Sequence, residues 1–170
     1  MQLDFKFYLN STGYSIASQE SILSVRHIDP EFNIKATFLN VQADAGVSRN
    51  RRQIFAAMKA TPPASEQVSL YQSIPYLYRR LRHAKKHIGF CVFETINPPK
   101  EWIKLMNEMD SILTATMFNK RIFEQAGVTL PITVIPHCFD PKMFNKDVKP
   151  NGRYDKTTFF AMGTWKNRKN

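Results

Sequence analysis

Six consecutive residues, Ile88-Gly89-Phe90-Cys91-Val92-Phe93, are apolar without alternation. A strand with one wet face alternates apolar and polar side chains. A run like this one therefore suits a strand covered on both faces, as in the middle of a parallel sheet. Parallel neighbours need long crossovers, usually helices, and the sequence around the run supplies them. Residues 3–9 and 33–39 read as strands, with a helical stretch over 15–25 between them. Asn10-Ser11-Thr12-Gly13 breaks the first strand, and the order strand, glycine turn, helix opens a βαβ unit. Residues 49–60 read as a helix that Thr61-Pro62-Pro63 ends, because proline lacks an N–H and restricts its predecessor.

Residues 67–71 read as a short strand and 76–86 as a basic helix. Trp102, Leu105, Met106 and Met109 fall at i, i+3, i+4 and i+7, one face of a helix that Pro98-Pro99 starts. Residues 111–115 follow as a strand. Thr116 then fits an N-cap, 117–126 a helix, Gly127 its stop, and 131–135 a last short strand. Alternation of this kind predicts an α/β fold, a Rossmann-like parallel sheet flanked by helices, over residues 1–150. Residues 137–153, rich in Pro, Asp, Asn and Lys, read as a linker. Residues 157–162 and Gly163 read as the strand and turn that open a second domain at 151–170, truncated before that domain is complete.

With 170 residues there is room for one domain with a real core. No apolar run approaches the ~18 residues that span a bilayer, and residues 1–9 lack the apolar core of a signal peptide. Cys91 and Cys138 stand far apart without metal spacing, which favours reduced thiols and a cytoplasmic setting. Net charge is +10, and residues 49–86 hold nine basic residues against one acid, Glu66. Such a segment attracts anions, so an anionic membrane surface at the inner face, a phosphorylated acceptor and nucleic acid are all candidate partners. A solvated face that keeps the chain soluble explains the charge equally well.

From Ile88 onward the residues form an ordered set: Ile88 to Glu94, Pro98-Pro99, Trp102, Met109 to Ile112, Phe118, Phe123, Gly127-Val128, Pro131-Ile132, and Val134-Ile135-Pro136-His137-Cys138-Phe139-Asp140 with Phe144. This set resembles the retaining glycosyltransferases of the GT-B fold. In that group the last element commonly reads Pro-His-Gly-Val-Asp; here Cys138 and Phe139 replace the glycine and valine. Residues 159–163 and Arg168-Lys169-Asn170 resemble the first strand and loop of the donor domain. The likeness covers 88–170 and fades over 1–87.

The resemblance implies transfer of a hexose, with retention, from a nucleotide diphosphate sugar to a hydroxyl acceptor on a glycan, a lipid-linked molecule or a protein. The donor is a substrate, and neither cofactor nor metal is implied. By likeness Lys169 binds the donor diphosphate with Arg168 in support, and cations there would stabilise the leaving charge. His137 matches the linker histidine on the donor side of the cleft. Gly13 and Tyr14 lie in a loop that faces the cleft and would meet the acceptor. Glu94 ends an apolar strand, where a carboxylate orients a hydroxyl or acts as base. Each has a plainer reading: an exposed basic tail, a hydrogen-bonded histidine, an ordinary tight turn and a capping carboxylate. The 170-residue chain is expected to be inactive by itself. A basic nucleic-acid-binding module is the competing class, with Tyr71, Tyr76 and Tyr78 as stacking groups. It leaves the ordered second half unexplained, which disfavours nucleic acid as partner. A non-catalytic glycosyltransferase-like protein is the third.

Overall fold

The computed structural model describes residues 1–39, 46–147, 149, 157 and 159. Among the described residues six strands and four α-helices follow in the order β1 (Gln2–Phe7), α1 (Gly13–Ile28), β2 (Ile34–Phe38), α2 (Arg49–Ala60), β3 (Gln67–Gln72), β4 (Ala84–Phe90), α3 (Lys100–Asn107), β5 (Ser111–Thr114), α4 (Met117–Gln125) and β6 (Ile132–Val134), so that only β3 and β4 lack an intervening α-helix. All pairings are parallel, in the order β2-β1-β3-β4-β5-β6. The fold is the expected Rossmann-like α/β sheet. The chain runs outward from β1 to β2 and returns across β1 to β3, so the sheet reverses direction between β1 and β3. Ligands of open α/β sheets bind outside the C-terminal strand ends at such a reversal.

Strand alternation divides the core into two clusters. Phe5, Phe7, Leu70 and Phe90 on one face pack with Ile22 of α1 and Phe55 and Met58 of α2. Tyr71, Cys91 and Ile112 on the other face pack with Ile103 and Met106 of α3 and Ile122 and Phe123 of α4. Local signals set the helix ends. Ser48 Oγ accepts from the Arg51 N–H to cap α2, and Thr116 Oγ1 accepts from the Asn119 N–H to cap α4. Gly127 takes φ +104° just beyond α4, a left-handed conformation that glycine adopts at no steric cost.

The basic helix expected over 76–86 is not formed. Pro75–Leu77 makes a single 3-10 turn, and β4 already begins at Ala84, pairing with Gln67. A helix there would leave the first half of β3 without a partner on that side, and unpaired ladder groups inside a sheet are costly. Tyr78, between the turn and β4, lies where a Cβ on Gly89 would stand, 2.4 Å from its ring carbon. The strand read over 88–93 is thus shifted toward the N-terminus and ends at Phe90. Met109 lies two residues beyond the end of α3 but is buried.

Residues Met1–Phe139 form one compact unit and Asp140–Asn170 a second. In the second, the Asp140 carbonyl accepts from the N–H groups of Met143 and Phe144, and its carboxylate accepts from the Lys142 N–H, an Asx-type turn. The strand expected over 157–162 falls mostly outside the described residues. No helix among those described is long and apolar enough to cross a membrane.

Candidate functional site

The first turn of α1 is fixed at both sides of the sheet reversal. On the β1 side, Ser15 Oγ donates to the Tyr8 carbonyl at 2.5 Å and accepts from the Asn10 N–H at 2.8 Å. Gln19 Nε2 donates to the Asn10 carbonyl and to Ser15 Oγ, each at 3.0 Å. On the β4 side, Tyr14 Oη donates to the Val92 carbonyl at 3.1 Å and accepts from the Val92 N–H at 3.0 Å. The turn therefore arches from the end of β1 to the end of β4, over the strand that lies between them, β3. Burial and the neighbouring Cys91 hold the Tyr14 hydroxyl protonated, its pKa well above the ordinary tyrosine value.

The Thr12 side chain makes no cap; its hydroxyl turns back to Asn10 Oδ1 at 2.7 Å, and the first turn holds no acidic residue. Gly13 is the first helical residue, and a Cβ built on it would meet nothing within 4 Å. Its φ is not in the left-handed region, so its value here is open space rather than turn geometry. Unpaired N–H groups at a helix start attract anions.

Gln72, the last residue of β3, has Phe7 and Phe90 as register neighbours. It is 1% exposed, and neither its Nε2 nor its Oε1 has a hydrogen-bond partner. Leaving a buried amide unsatisfied costs about 1–3 kcal/mol, which makes Gln72 the least explained polar group at this end of the sheet. On the same face, His137 stacks on Phe90 with ring centroids 5.7 Å apart and planes 21° from parallel. Desolvation against that ring lowers the pKa of the otherwise exposed imidazole below the usual histidine value.

Of the residues singled out in the sequence, Gly13, Tyr14 and His137 come to this end of the sheet. Glu94 was expected to close a strand, but β4 ends at Phe90 and Glu94 is exposed in a bend four residues further on. The rest of that loop is held by Asn119, whose Nδ2 donates to the Phe93 carbonyl at 2.5 Å. Arg168 and Lys169 lie outside the described residues. Sequence reading missed Gln72, because a glutamine after a short strand stands out only once register places it between two phenylalanines.

The basic segment is less uniform than its composition suggests. Arg51 pairs with Glu20, Arg80 with Asp110 and Lys85 with Glu66. Tyr71 and Tyr78 are buried, and only Tyr76, 46% exposed and packed edge-on against Trp102, is available for stacking. A depression of about 410 Å³ at the opposite end of the sheet, lined by Arg26, Glu31, Met58 and Thr61 among others, lies where α1 and α2 finish and has no helix start facing it. Among the described residues no three His, Cys, Asp or Glu side chains converge as a metal site requires.

The structure defines a Rossmann-like α/β protein in which the first turn of α1 ties the end of β1 to the residues after β4. Comparison with protein-family models, curated proteins and solved structures gives no match to this chain.

Proposed function

We propose that this chain is the acceptor-side domain of a nucleotide-sugar-dependent hexosyltransferase of the GT-B type. The observation that carries the reading is the first turn of α1, uncapped by Thr12 and with space beside Gly13, held to the end of β1 and to Val92 after β4 at the sheet reversal. The ordered residues from Ile88 to Phe144 support it from the sequence side. In this reading Gly13 and Tyr14 form the floor on which the acceptor rests. Tyr14 acts as a brace rather than an acid, since both hydrogen-bonding capacities of its hydroxyl are taken by Val92. Glu94, in the loop after β4, is the carboxylate that would orient the attacking hydroxyl. His137, Arg168 and Lys169 would face the donor, where the departing diphosphate gains charge.

The test is turnover. The full-length protein is incubated with UDP-, GDP- and ADP-hexoses and a panel of hydroxyl acceptors. Release of nucleoside diphosphate and the anomeric configuration of the product are scored by NMR. Transfer with retention supports the reading. No turnover with any donor, together with tight salt-dependent binding of single-stranded nucleic acid, replaces it with the nucleic-acid module. The burial of Tyr71 and Tyr78 argues against that module, because stacking on a base would require both to leave the core.

A further inference from the structure

We infer that the groove between the outer stripe of α2 and the end of β2 binds a carboxylate with a hydrocarbon tail, a medium-chain carboxylic acid. This goes beyond the transferase reading and uses none of the residues placed at the α1 turn.

The groove is a depression of about 510 Å³ lined by Leu9, Phe38, Arg52, Ala56, Lys59 and Ala60. Pockets for small organic ligands run to about 300–1,000 Å³. The sequence of α2 explains the shape. Positions 52, 56, 59 and 60 fall at i, i+4, i+7 and i+8, one stripe of the helix. Phe55 and Met58 are its buried residues, so this stripe is left outside the core. Alanine at 56 and 60 leaves room that longer side chains would fill, and Leu9 and Phe38 give the room an apolar floor.

Charge decides the ligand. Arg52 and Lys59 are both cationic, and among the described residues no acidic side chain joins them in the lining. Lys59 meets no carboxylate; its Nζ lies over the Phe38 ring, 5.2 Å from the centroid. An ammonium resting on a ring keeps its charge and its hydrogen-bond donors, and a carboxylate is the stronger partner for both. A small inorganic anion would leave the Leu9 and Phe38 floor wet. A neutral hydrocarbon would leave the two cations without a counter-charge. A molecule with a carboxylate at one end and a hydrocarbon chain at the other uses the whole lining. The groove suits one free chain rather than a bilayer, because Leu9 is buried and Phe38 only partly exposed, whereas a membrane would need them raised above the surface.

The experiment measures binding to this chain by calorimetry without any nucleotide sugar, so its failure leaves the transferase reading standing. Four probes are used: octanoate below its micellar concentration, octan-1-ol, acetate, and phosphatidylglycerol vesicles. The expected result is that octanoate binds at least about tenfold more tightly than octan-1-ol or acetate. Lys59→Met, which removes the charge and keeps an unbranched apolar stem, should weaken octanoate by about tenfold or more. Ala56→Phe should abolish binding by filling the groove. Both positions are exposed, so the packing of Phe55 and Met58 is untouched and the variants fold. Lys86→Met, at an exposed lysine of β4 outside the groove, should leave the affinity unchanged. Octan-1-ol or acetate binding as tightly as octanoate, vesicle binding without octanoate binding, or no binding by any probe overturns the inference. So does unchanged affinity in either groove variant, or an equal loss in Lys86→Met.

Discussion

Tyr14 and Val92 exchange two hydrogen bonds, side-chain hydroxyl to main-chain carbonyl and main-chain N–H to the same hydroxyl. One phenol therefore closes the gap between the first turn of α1 and the end of β4, 78 residues apart in sequence. Tyr14→Phe strips partners from a half-buried N–H and C=O and should destabilise the protein by about 1–3 kcal/mol in urea unfolding. Amide exchange at Val92 should speed up in the variant while exchange in β1 stays protected.

Gly13 has an ordinary φ and empty space beside it. Gly13→Ala should therefore stabilise the fold by roughly 0.4–1 kcal/mol, through the lowered entropy of the unfolded chain. A loss of stability in thermal melts would contradict the empty space beside Gly13.

Gly89 is different, because the Tyr78 ring occupies the place of its missing side chain. Gly89→Ala should cost about 1–3 kcal/mol, the range for overpacking a filled core. The cost should shrink in a Tyr78→Ala background, and a double-mutant cycle in urea reads that coupling directly.

Burial drives the Cys91 thiol pKa up to about 12. It should stay unmodified by a thiolate-specific reagent at pH 8 in the folded protein, while the half-buried Cys138 reacts first. Mass spectrometry after limited labelling distinguishes the two. Unfolding in urea should bring Cys91 into reaction.

His137 carries a depressed pKa, so the folded state binds its proton less readily than the unfolded chain does. Its contribution to stability is present above the ordinary histidine pKa of about 6.5 and is lost as pH falls through that value toward the folded pKa. NMR titration should place the His137 midpoint below that of an unfolded peptide, and Phe90→Ala should move it back up.

Much of this fold is readable in the sequence, for identifiable reasons. The bounds of α2 follow from Ser48 and the Thr61-Pro62-Pro63 stop, and those of α4 from Thr116 and Gly127, because caps and breakers act locally. The segment over 76–86 misled because Tyr76, Leu77, Arg80 and Leu81 mimic helical spacing, while the pairing that claims Ala84 to His87 for β4 is a long-range effect. Strand β1 was also more buried than its alternation implies. Lys6 and Asp4 neutralise each other on the strand, Thr37 donates to Asp4 at 2.7 Å, and Lys6 lies over the Tyr71 ring, so both faces can be covered. At the site, Gly13 and His137 could be singled out from motif and turn chemistry. Gln72 could not, since its significance comes from two neighbours on other strands.

The most direct measurement for the account as a whole is turnover by the full-length protein with nucleotide-sugar donors. The expected result is release of nucleoside diphosphate and a product that keeps the anomeric configuration of the donor. No nucleoside diphosphate released from any donor, in the presence of the acceptor panel, would contradict it.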